Sequence, residues 1–265
     1  GTPTPCISTD AAGTNGNITD AYAHFVNSNV APTVAADNAS RTVNEGATAT
    51  NTGTYSDADT GDSVAITASV GTVTKTGTNS GTWSWSFGTN DGPAQSQTVT
   101  ITANDGNGHI VTTTFGLTVN NVAPTATFNA PASVNEGSSI SLSLSSPSDP
   151  SSVDTTAGFQ YAFDCGDGSG YGAFGSSSTA TCTTNDNGSR SVKGKIKDKD
   201  GGVNEYTASV TVNNVAPTAT FSNDGPVNEG SSFHLSLSSA SDPSSADTTA
   251  GFQYAFDCGD GSGYG

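Results

Sequence analysis

The stretch Val122–Gly172 returns as Val215–Gly265 at a constant offset of 93 residues, with nine substitutions in 51 positions and no gap. A chain that repeats with this period is an array of small domains, because each copy is long enough to bury a core of its own. A looser copy begins at Asn29, where NVAPTV and a TVNEG run ending at Gly46 match NVAPTA and SVNEG of the later copy. The 265 residues therefore divide into a segment 1–28, full units at 29–120 and 121–213, and a partial unit at 214–265.

Within the units, apolar residues alternate with polar ones. In the first unit the alternating sets are Val64, Ile66 and Ala68, then Trp83, Trp85 and Phe87, then Val99, Ile101 and Ala103. The second unit shows Ile140, Leu142 and Leu144, then Phe159, Tyr161 and Phe163, then Val192 and Ile196, then Tyr206, Ala208, Val210 and Val212. Period two in short stretches, separated by Gly, Asn and Asp turns, predicts half-buried antiparallel strands. No ten-residue stretch carries a helical stripe. About seven strands per unit predict an all-β chain of tandem immunoglobulin-like sandwiches, with incomplete domains at both ends. A hydrophobic content of 32% agrees, since in a thin two-layer fold every second strand residue faces water. The third unit is expected to end with a strand carrying Phe252, Tyr254 and Phe256. The tryptophan stripe reads as sandwich core, with Ser84 and Ser86 outward; the competing reading is an exposed sugar-binding platform.

Residues 1–28 align with the closing hairpin of the first unit, and residues 214–265 with the opening half of the second. Half a sandwich leaves a strand edge and an apolar face bare. Two arrangements cover it. Neighbouring sequence of a longer repeat protein completes the domain, or residues 1–28 of one copy complete residues 214–265 of the next, giving a head-to-tail filament.

A net charge of −17 repels phosphate backbones and anionic membranes, so nucleic acid and membrane insertion are not expected. The four cysteines lack CxxC spacing, which argues for disulfides in an exported protein over zinc. Cys165 and Cys182 share one unit and form the natural pair. Cys258 repeats Cys165, and Cys6 with Cys258 is a candidate cross-link between adjoining copies.

The histidines His24, His109 and His234 fall in unrelated contexts, and the many serines lack a G-x-S-x-G elbow, so no enzyme is expected. Short Asp/Asn/Gly stretches are the better lead, because calcium takes 6–8 oxygens from flexible loops. The candidate ligands are Asp57, Asp59, Asp62, Asp105, Glu136, Asp198 and Asp200; Asp91, Asp164, Asp167, Glu45 and Glu229 lie in similar surroundings. The competing reading gives these residues an ordinary role in turns. DCGDGSGYG has no following Lys or helix and reads as a turn, not a phosphate loop. Asn17, Asn38 and Asn187 stand in glycosylation sequons.

FDCGDG at Phe163–Gly168 and again at Phe256–Gly261, with KDKDGG at Lys197–Gly202, resembles the signature of PKD domains, a WDFGDG-like strand end followed by a D-x-DGG turn. Phe163 stands where that family usually has Trp, and Cys165 where it has Phe. Through its Ala-Pro linkers, VNEG and TITANDGNG, the first unit is similar to bacterial immunoglobulin-like or cadherin-like surface repeats. The resemblance implies extracellular sandwiches serving as spacers, adhesion modules or enzyme appendages, not themselves catalytic. It also places the NVAP linkers where cadherin-like arrays clamp calcium, with Asn in place of Asp. The expected protein is an extracellular or cell-surface stalk or fibre whose partners are copies of itself or flanking repeats. The alternatives are an adhesive module directed at carbohydrate or a host surface, and a spacer of a secreted enzyme.

Overall fold

A computed structural model of the chain describes residues 29–265. In the first unit the alternating stretches become eight strands: β1 (Thr33–Ala36), β2 (Ser40–Asn44), β3 (Thr48–Ser56), β4 (Ala65–Ala68), β5 (Thr72–Lys75), β6 (Ser80–Gly88), β7 (Gln97–Asn104) and β8 (Ile110–Asn120). They form two four-stranded sheets, ordered β1-β3-β6-β5 and β2-β8-β7-β4. The opening chain changes sheets. β1 runs antiparallel to β3, and β2 then crosses over to run parallel to β8, tying the start of the unit to its end. This is an immunoglobulin-like sandwich.

Trp83 and Trp85 point into the space between the sheets, 0% and 1% exposed, beside Val99, Ile101 and Phe115. Trp85 stands edge-on to Phe115 and donates from Nε1 to the Val70 carbonyl at 2.6 Å. Ser84 and Ser86 face outward. The platform reading is thereby overturned, because neither indole has a face open to a ligand.

The second unit repeats the plan with β9 (Thr125–Asn129), β10 (Ser133–Asn135), β11 (Ile140–Ser148), α1 (Ser152–Ala157), β12 (Gln160–Asp164), β13 (Thr179–Cys182), β14 (Gly188–Lys197) and β15 (Val203–Asn213). One sheet is ordered β13-β11-β9 and the other β10-β15-β14-β12, with β10 parallel to β15. Leu144, Tyr161 and Ile196 fill one end of the core, and Ile140, Leu142, Val192 and Val210 the other. A disulfide joins Cys165 to Cys182 across the sandwich. Periodicity does not predict the helix, which is only six residues long. Its signal is local: the Ser151 side chain caps it by accepting from the Asp154 backbone N–H, and Gly158 ends it.

The third unit contains β16 (Thr218–Asn223), β17 (Leu235–Ser241) and α2 (Ser245–Ala250). Here one expectation is corrected, because Phe252, Tyr254 and Phe256 form no strand. The twin segment β12 is held by β14, and no counterpart of β14 lies within 214–265. Extended backbone with no ladder partner gains nothing over solvated coil. Phe221, Phe233 and Tyr254 are consequently 56%, 44% and 49% exposed.

Candidate inter-unit carboxylate site

Three short sequence elements build each joint between units: the VNEG turn of the preceding unit, the NVAP linker, and the acidic loop that opens the following unit. Glu45, 2% exposed, accepts from the linker amide of Val122 through Oε1 and from Gly92 through Oε2, both at 2.7 Å. Glu136, 1% exposed, repeats the clamp on the Val215 amide at 2.6 Å. The glycine after each glutamate has φ of +75°, and a Cβ on it would lie 2.8 Å from Pro150 at the first joint and 2.7 Å from Pro243 at the second. Only glycine permits both that backbone and that approach.

The linker asparagines complete the docking. Asn121 donates to Asp198 Oδ2 at 3.1 Å, and Asn29 donates to Asp105 Oδ2 at 2.8 Å. Side chains also reach across. The Ser152 hydroxyl donates to Asn90 Oδ1 at 2.9 Å, and that of Ser244 to the Asn185 carbonyl at 2.7 Å.

These contacts gather acids. Glu45 meets Asp149 and Asp154; Glu136 meets Asp242 and Asp247; Asp57, Asp62 and Asp105 meet at the head of the first unit. In each set one carboxylate oxygen per residue lies within 4.8 Å of the others. Burial without a full set of donors pushes the Asp149 and Asp154 carboxyls above their ordinary range, with neighbouring acids adding to the rise. At the first joint Lys199 supplies a countercharge, 2.6 Å from Asp91, 3.2 Å from Asp154 Oδ1 and in contact with Asp200. Hydrogen bonds to Asp200 and Asp91 raise the lysine pKa in turn. Asp105 behaves oppositely. Burial would raise it, but the Asn107 and His109 amides and the Asn29 side chain outweigh burial and bring it to about 2.

Of the residues expected as calcium ligands, Asp57, Asp62 and Asp105 come together and Glu136 enters the second joint. Asp200 also joins a set, with Asp91 and Asp154 around Lys199, whereas Asp59 accepts from the Val30 amide at 2.8 Å and Asp198 is taken by Gly202 and Asn121. Asp149, Asp154, Asp242 and Asp247 were missed. The signal was present: SDADTGD, SDPSSVD and SDPSSAD place two acids five residues apart at the same point of all three units. Among the described residues Cys258 is free and exposed; Cys6 and His24 lie outside them. His109 and His234 sit in separate turns, beside Asp105 and Asp224. The Asn38 side chain is bonded to Asn51, and Asn187 is exposed.

No family model matches the chain, and no curated protein matches it. Solved structures do. The PKD1 domain of Vibrio anguillarum Epp is similar at 23% identity over 34% of this chain and 93% of that one, with a TM-score of 0.25. The adhesin InvE of Yersinia pseudotuberculosis is similar at 20% identity over 69% of this chain, TM-score 0.30, and this chain spans 58% of its length. Fibronectin(III)-like modules of Clostridium thermocellum CbhA are similar at 12% identity over 68% of this chain and 93% of that one, TM-score 0.29. The neighbours are PKD, fibronectin III and immunoglobulin-like domains, the same class as the sandwiches described above.

Proposed function

We propose that this chain is a non-enzymatic, extracellular structural repeat protein, a stalk or fibre whose third unit is completed by strands from another segment. The observation that carries this reading is the open face of residues 214–265. Phe221, Phe233, Val227 and Tyr254 are 42–56% exposed, whereas the matching segment of the second unit is roofed by β14 and β15. Apolar surface and an unpaired edge together attract a complementary strand pair. Flanking repeat sequence of a longer chain, or residues 1–28 of a second copy, which read as a closing hairpin, would supply that pair. The two joints support a rod, since each ties its linker amide to a buried glutamate and leaves little freedom to bend. A disulfide accords with an oxidising location, and among the described residues no helix is long and apolar enough to cross a membrane.

The test is the mass of the full chain in solution by light scattering across a concentration series, beside Phe221→Asp. Concentration-dependent head-to-tail multimers that the variant abolishes are expected. An ordered monomer at every concentration would overturn strand donation. Electrophoresis without reductant reads the Cys6–Cys258 cross-link separately: a ladder supports it, and a single monomer band removes it.

A further inference from the structure

We propose that the joint between the second and third units binds a divalent cation of the calcium class, held by Glu136 from one side and by Asp242 and Asp247 from the other. The inference does not rest on filament formation, since a lone rod would bind the ion equally well.

The two joints differ in how their acids are satisfied. At the first, both oxygens of Glu45 accept backbone amides, and although Asp149 Oδ2 and the Asp154 carboxylate lack a hydrogen-bond donor, Lys199 brings a compensating ammonium group to 3.2 Å from Asp154 Oδ1. At the second, Glu136 Oε1 accepts from Val215 but Oε2 has no partner, in a side chain that is 1% exposed. Asp242 Oδ1 accepts from the Ser244 amide at 2.7 Å, while its Oδ2 also has no partner. Among the described residues, no Lys, Arg or His pairs with any of the three. A buried carboxylate with an orphaned oxygen, among like charges and without a countercharge, is costly unless something positive joins it.

The chemistry of the donor set selects the ion. All the side-chain donors are hard oxygens, which favour calcium or magnesium over zinc or copper. Each of the three carboxylates places one oxygen within 4.8 Å of the others, a separation that spans a calcium coordination sphere of roughly 2.4 Å radius, with water to complete the 6–8 oxygens that calcium takes. Magnesium demands a tighter octahedron of roughly 2.1 Å radius and holds its waters, so it fits less well. The partnerless Oδ2 atoms of Asp57 and Asp62 repeat the pattern at the head of the first unit, so more than one ion per chain is compatible with the fold.

Calorimetric titration of the chelator-stripped full chain with calcium chloride tests this, comparing wild type with Glu136→Gln and Asp242→Asn. The Glu136→Gln side chain keeps an acceptor oxygen for the Val215 amide, and Asp242 is only partly buried, so at least one variant should retain the circular dichroism of the wild type. The expected result is loss of one calcium per chain, or binding weakened roughly tenfold or more, in each folded variant, with magnesium weaker than calcium. Wild type that takes up no calcium, or folded variants with unchanged stoichiometry and affinity, would overturn the proposal.

Discussion

Residues 121–172 and 214–265 are nearly the same sequence in two states. Both build the antiparallel pair (β9 with β11, β16 with β17) and the capped helix (α1, α2), with the same serine cap in each. Only the first builds β10 and β12, because only there do β15 and β14 stand alongside. For β12 the nine substitutions do not account for this, since YAFDCGDGSGYG is identical in both; at β10 the sequences also differ, with Pro226, which has no N–H for a ladder, in place of Ser133. Local sequence thus decides hairpins and helix caps, while the second sheet exists only when its distant half is present.

The strongest way to break the difference is to append residues 173–213 after Gly265. Amide hydrogen exchange at 253–257 is then expected to slow to the protection seen at Gln160–Asp164, at least about a hundredfold; unchanged exchange would mean that something besides the missing strands keeps this segment open. The reverse experiment pushes the second unit toward the third. Ile196→Ala removes a fully buried side chain of β14 that packs on Tyr161 and Leu144, and should cost about 2–5 kcal/mol in denaturant unfolding. Breaking the Cys165–Cys182 bond with Cys182→Ser should cost about 3 kcal/mol for a loop of 17 residues. In the third unit, where Cys258 is free among the described residues, Cys258→Ser should change the stability of the reduced chain by less than about 0.5 kcal/mol.

Smaller effects sharpen the part the twins share. Ser151→Ala and Ser244→Ala each remove a helix cap and should each cost about 1 kcal/mol, the second also freeing the Asn185 contact between units. The smallest belongs to His234, which stands where the second unit has Ser141. Its side chain and backbone hydrogen bonds hold the Asp224 carboxyl below the ordinary range. A depressed carboxyl stabilises above its unfolded pKa, and the stabilisation fades as the pH falls through the folded one. His234→Ala should therefore flatten a slight acid-side loss of stability in thermal melts at pH 2–5 and change little at neutral pH.

Much of the fold was legible in the sequence. Alternation marks Trp83, Trp85, Val99 and Ile101 as core, and the strands form where the pattern lies. Phe252, Tyr254 and Phe256 show the limit of that reading: alternation records which face a strand would bury, not whether a neighbour is there to bury it. The joint was half legible. Glu45 and Glu136 drew notice by recurring before glycine, but their role as clamps on a linker amide some 77–79 residues away depends on how the sheets bring the ends of a unit together. Asp154 and Asp247 were hidden because turn-forming and ligand-forming aspartates look alike until burial separates them. Asp154 is fully buried, yet it belongs to a helix cap that would pass as punctuation.

The seating of Gly46 on Pro150 and of Gly137 on Pro243 means that every full unit carries two unlike ends, a glutamate-glycine turn and an acidic loop. A tandem duplication of one 93-residue period, wherever its breakpoints fall, copies both ends in the same order. It therefore regenerates an intact joint without a single compensating substitution. Such an array can lengthen by recombination alone, and the near identity of its last two units is the sequence trace such a history would leave.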